Sequence, residues 1–136
     1  MNKEFQFIEV FYAQFHSSYG NHQEAISSPR LKGWHAHIYF NDLTEQTAQR
    51  VINDIALEIT DLRQGQLHRK LVGPHPCWSC QLYFKPHLLS DVVTWLTFNR
   101  KGLTILFHPI SGNDLLDHKD RVFWMGDVKD LNLENL

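Results

Sequence analysis

Nine histidines stand in a chain of 136 residues that has only two cysteines and two methionines. Three of them sit where their side chains could act together. His35-Ala36-His37 has the spacing of a strand, in which residues two apart point to the same face, so both imidazoles can approach one ion. His108 closes another apolar run, Leu103 to His108, and reaches the same place if that run lies beside the first. Neutral imidazole is the commonest ligand of transition metals, and three such ligands leave positions open for a substrate. The plainer use of histidines on a half-exposed strand is local hydrogen bonding, and the short His-x-His pattern does not by itself separate the two.

Further polar groups follow in loops. In Gly73-Pro74-His75-Pro76 the prolines restrict the backbone and hold His75 in a rigid extended or turn conformation. There it could bind substrate, transfer a proton, ligate a metal or simply face solvent on a turn. The run from His108 through Pro109, Gly112, Asn113 and Asp114 to Asp117-His118 leaves an apolar strand for a polar loop, where functional groups collect. Asp114 or Asp117 could complete a set of two histidines and one carboxylate, as in non-haem ferrous oxygenases, or could serve loop hydrogen bonds and a helix cap. Cys77 and Cys80 are three residues apart. In a strand their sulfurs point to opposite faces, so they read as packing rather than as a redox or zinc pair. His16, His22, His68 and His87 have no comparable partners and read as surface or structural.

The elements that must position these groups are legible from periodicity. Ala48, Val51, Ile52, Ile55, Ala56, Ile59 and Leu62 form one helical stripe and predict a helix over 43–62. Asp42 and Glu45 resemble its capping box, and Gly65 lies past its end. A second helix is expected over 86–101, with proline in the first turn and Gly102 as a left-handed cap. Trp34 to Phe40 and Cys77 to Phe84 alternate as strands. Leu103 to His108 is another strand, Gln66 to Val72 a weaker one, and 121–125 a short addition. The order is strand, helix, strand, strand, helix, strand: the split βαβ, ferredoxin-like α+β pattern of an antiparallel sheet with both helices on one face. The large apolar residues would face the helices and the histidines the open side. Phe5, Phe7, Ile8, Val10, Phe11 and Phe15 are too apolar for a solvated tail; they are expected to pack on the domain or on a second subunit, making the protein a homodimer.

Composition narrows the class. Thirteen basic against fifteen acidic residues give a formal charge of −2, without the basic stripe that a nucleic-acid module carries. No apolar run approaches the ~20 residues that span a bilayer. The N-terminus meets Glu4 and Glu9 too soon for a signal peptide, and two cysteines build no disulfide framework. These features fit a cytoplasmic protein of one domain, residues 1–136, with a core of ordinary size.

Trp34-His35-Ala36-His37-Ile38-Tyr39-Phe40, then Gly73-Pro74-His75-Pro76, then Leu106-Phe107-His108-Pro109 with Gly112, Asp117-His118 and Trp124-Met125-Gly126 resemble the DOPA 4,5-dioxygenase family. The blocks occur in the family's order and cover about 33–126. The resemblance implies a ferredoxin-like domain and extradiol cleavage of a catechol ring with non-haem Fe(II), another divalent metal such as zinc being possible in purified protein. The family's histidines fall on His35, His37, His75, His108 and His118. The implied ligands are drawn from His35, His37 and His108, with His75 or a carboxylate as a further candidate. His118 or His75 would move protons, and Tyr39, Gln81 and Tyr83 would line the pocket for DOPA or a related catechol, dioxygen being the second reactant. Two other classes stand beside this reading: a non-catalytic dimeric module binding a small molecule or metal, and a structural dimer, because ferredoxin-like folds host many functions.

Overall fold

A computed structural model describes residues 30–136. The expectations for the apolar N-terminal run, for His16 and His22, and for the dimer that rests on that run lie outside the described residues.

Alternation makes β1, Gly33–Phe40, a two-faced strand, and its central place follows from pairing on both sides. It runs antiparallel to β3, Trp78–Phe84, and to β4, Ile105–Ile110. β2, Arg63–His68, adds to the free edge of β3, and β5, Phe123–Met125, to that of β4, so the sheet order is β2-β3-β1-β4-β5. With α1, Glu45–Glu58, and α2, Leu89–Asn99, this is the expected α+β arrangement, extended by β5 and by a short helix α3, Asp114–Lys119. Ala36, Ile38, Leu82, Phe84, Ile105 and Phe107 meet Val51, Ile52, Ile55, Val92 and Leu96 in one buried cluster. Each such aliphatic or aromatic side chain contributes roughly 1.5–3 kcal/mol by leaving water. Cys80 belongs to this layer, its thiol pushed up to about 11 by burial, and both cysteines are free.

Several boundaries differ from expectation, each for a local reason. The first helix ends at Glu58 rather than 62, because Ile59 is already extended (ψ 92°) and the chain turns toward β2. Its start is tied by Asn41, not Asp42: Asn41 Oδ1 accepts from the amides of Leu43 and Thr44, and Thr44 Oγ1 accepts from the Asn41 amide. Gly65 is no helix cap but lies inside β2. Pro86–Leu88 form a separate 3₁₀ turn before α2, and Gly102 takes the expected left-handed cap at φ 78°. β4 reaches two residues further than predicted and contains Pro109, which is tolerated because β5 pairs only with Ile105, Leu106 and Phe107. No helix among the described residues is long and apolar enough to cross a membrane.

Candidate metal centre

The pairing register gathers the histidines. His35 lies directly opposite His108 on β4 and opposite Tyr83 on β3, and His37 lies opposite Gln81. Directly opposed residues of antiparallel strands share a face, so all five stand on the side away from α1 and α2. His35, His37 and His108 each offer a ring nitrogen within 4.8 Å of the others. Among the described residues this is the sole cluster of metal-ligating side chains.

Hydrogen bonds set the proton positions. A carbonyl only accepts, so His108 Nδ1 must donate to Pro109 O at 2.9 Å. That leaves the lone pair on Nε2, aimed at His37 Nε2 3.0 Å away, which donates to it. A backbone carbonyl fixing the tautomer of a ligand is the usual support of histidine metal sites. Burial is the main reason the three rings stay neutral: it takes His35 down to about 4 and His108 to about 3, and holds His37 well below the ordinary range, with the neighbouring imidazoles adding to the effect. Neutral imidazole is the form that ligates. The donor set therefore fits a transition-metal ion of imidazole preference.

Two more histidines flank the three from separate segments. His75 lies against His37 with ring centroids 4.0 Å apart and planes tilted by 41°. Its loop is turned by Gly73 at φ 56° and by the bond from His75 N to Val72 O. Tyr39, 3% exposed, keeps its proton because burial raises its pKa, and its hydroxyl has His75 Nδ1 as partner at 2.8 Å. His118 lies against His108, also at 4.0 Å and tilted by 39°, and donates from Nδ1 to Asp114 O one turn earlier in α3. In both flanking rings Nδ1 is tied to a partner, Tyr39 for His75 and Asp114 for His118, and Nε2 is the nitrogen left over.

A cavity of about 220 Å³ opens over this cluster, lined by the five histidines with Pro74, Gln81, Ile110, Asp114 and Leu136 among others. Of the three residues expected to line a substrate pocket, only Gln81 does so. Tyr39 lies beneath His75 as its support, and Tyr83 stands edge-on to His35 at 5.9 Å outside the cavity wall. Asp114 is exposed at the rim and is not part of the ligating cluster. Asp117 is occupied elsewhere: its carboxylate accepts from Ser111 N and Oγ and from Arg121 Nη1, so it ties the β4–α3 loop. A larger cleft, about 480 Å³ between the end of α1 and the start of α2, holds neither histidine nor cysteine. Sequence reasoning missed Ile110 and Leu136. Ile110 follows from the longer β4, whereas nothing in the aperiodic C-terminal segment pointed to Leu136.

Fold and site together define an α+β protein with a three-histidine centre on the open face of an antiparallel sheet. A model of the Dopa 4,5-dioxygenase family matches residues 34–135, and the chain belongs to that family. It is 32% identical over 124 residues to the DOPA 4,5-dioxygenase of Amanita muscaria, a match covering 83% of this chain and 53% of that protein. It is 31% identical to an uncharacterized 21.2 kDa protein of Botryotinia fuckeliana, over 85% of this chain and 69% of the other. The chain thus spans about half the length of the Amanita relative. The crystal structure of a candidate dioxygenase from Nostoc punctiforme superposes with a TM-score of 0.75 at 36% identity, over 77% of this chain and 90% of that one.

Proposed function

We propose that the protein is a non-haem Fe(II)-dependent extradiol dioxygenase that opens the ring of DOPA or a related catechol. The observation that carries this reading is the convergence of His35, His37 and His108 on one sheet face, in a chain of this family. These three side chains would hold the ion. Bound there, iron supplies charge neutralisation and the redox chemistry that combining dioxygen with a catechol requires.

The chain's own groups do the rest. The buried His37 and His108, with Pro74, Pro109, Ile110 and Leu136, reduce the water around one side of a bound ring, which strengthens the electrostatic contacts there. His118 Nε2, with its free lone pair, takes a proton from a catechol hydroxyl. His75, held in place by the Tyr39 hydroxyl, gives one to an oxygen of the product as the ring opens. General acid–base groups of this type contribute about 10²–10⁴ in rate. Gln81 reaches the same cavity and orients the ring by hydrogen bonding.

The test is anaerobic loading of the metal-free protein with Fe(II), followed by oxygen uptake with DOPA and simple catechols. Uptake accompanied by a ring-opened product is expected, with His37→Ala losing both stoichiometric metal and turnover. No uptake with any catechol overturns the enzyme reading. Full activity in His37→Ala overturns the ligand assignment alone.

A further inference from the structure

We infer that Arg63 is a specificity-determining residue that receives a carboxylate on the side arm of the aromatic ligand, so the site selects anionic catechols over neutral and cationic ones. This rests on the catechol reading of the histidine site and adds to it a recognition element outside the cavity wall.

The placement follows from register. Arg63 is paired with Tyr83, Tyr83 with His35, and His35 with His108, so the four residues form one row across the sheet. The next residue, Gln64, donates its Nε2 to Ile52 O of α1 at 3.1 Å. It therefore faces the helices, and Arg63 faces the histidine side. Strands lie about 4.8 Å apart, which puts the Arg63 backbone two strands, roughly 10 Å, from that of His35. An extended arm on a ring seated at the histidines spans that gap.

The row is also shaped for the purpose. The guanidinium carbon lies 6.0 Å from the centre of the Tyr83 ring, and that ring rests on the backbone of Gly33. A Cβ at Gly33 would fall 2.9 Å from the ring and 3.2 Å from its hydroxyl, so the missing side chain is what lets the ring lie there. Tyr83 thus makes a shelf between the guanidinium and His35. Unlike Arg69, which pairs with Glu45, and Arg121, which pairs with Asp117, Arg63 makes no ion pair among the described residues. Its planar fork is left to face a carboxylate with two donors. The opposite rim carries Asp114, which repels an anionic arm and turns it toward Arg63.

The experiment compares 3,4-dihydroxyphenylacetate, 4-methylcatechol and dopamine, first by binding titration on the metal-free protein and then by oxygen uptake on the Fe(II)-loaded one. The wild type is expected to bind the carboxylate compound about tenfold more tightly than the neutral one, the scale of a charge-assisted hydrogen bond. Arg63→Gln should abolish that ratio, Arg63→Lys should recover part of it, and rising salt should weaken it. Equal affinities in the wild type, no binding of the carboxylate compound, or an unchanged ratio in Arg63→Gln overturns the inference. Absence of oxygen uptake together with the expected binding ratio overturns the dioxygenase reading and leaves Arg63 as an anion-recognition residue.

Discussion

Among the side chains, hydrogen-bond partners distinguish histidines that residue type leaves alike. His75, His108 and His118 are alike in sequence, yet a carbonyl partner fixes a proton on Nδ1 of His108 and His118, while the Tyr39 phenol, donor and acceptor alike, holds the ring of His75. Pro109 adjoins His108 and Asp114 precedes His118 by one helical turn, but a motif names residues and not bonds, so the sequence marks the set and not how each ring is held. Asp117 shows the same limit. It looks like a candidate ligand, and it is instead the knot of the β4–α3 loop, 1% exposed and bonded by Ser111 and Arg121. Burial raises its pKa, but the two Ser111 bonds and Arg121 outweigh that and bring it below the ordinary carboxylate value. A carboxylate with a depressed folded pKa stabilises above its unfolded value, near 4, and loses that contribution as pH falls through the lower folded one. Unfolding free energies from urea titrations should therefore be about 2 kcal/mol lower for Asp117→Ala than for the parent at pH 7, with the gap shrinking below about pH 4. A gap that is constant down to pH 2 refutes this account.

At the scale of strands and helices, the sheet depends on a close approach that only glycine allows. A Cβ at Gly33 would lie 2.8 Å from the Phe84 carbonyl of the neighbouring strand, and backbone cannot yield as a side-chain tip can. Gly33→Ala should cost about 1–3 kcal/mol and tilt Tyr83 away from His35; a thermal melt reads the first effect and tyrosine ring shifts in NMR the second. An unchanged melting temperature would show that β1 and β3 have slack at this end. Elements whose alternation has one phase were readable: β1 and β3 separate Ala36, Ile38, Leu82 and Phe84 from His35, His37, Gln81 and Tyr83 without error. β2 was not, because its pairing with β3 shifts between Gln64 and Leu67. Those two residues then face the helices three positions apart, and Arg63 and Gln64 offer no apolar signal. α3 is six residues long, too short for a helical stripe to show.

For the molecule as a whole, the ligand set and the flanking histidines depend on different parts of the fold. His35, His37 and His108 stand on the two paired strands at the centre of the sheet, whereas His75 comes from the β2–β3 loop and His118 from α3. The C-terminal segment joins these last two: Asn132 N donates to Pro74 O at 2.9 Å, Leu133–Asn135 packs against α3, and Leu136 lines the cavity. This closure was illegible beforehand, since residues 127–136 show no period and their partners are distant in sequence. It predicts a separable defect. Deleting residues 131–136 removes one backbone hydrogen bond to the rest of the chain and the cover over the site, while the strand pairs that place the three candidate ligands stay intact. Metal stoichiometry should then match the full chain, the melting temperature should drop by a few degrees, as a loss of about 1 kcal/mol gives, and kcat/KM with a catechol should fall at least tenfold through the freed His75 loop. Metal analysis and steady-state kinetics on the same preparation decide it. Loss of metal in parallel with activity would mean that the C-terminal segment supports the whole centre rather than the flanking His75 and His118.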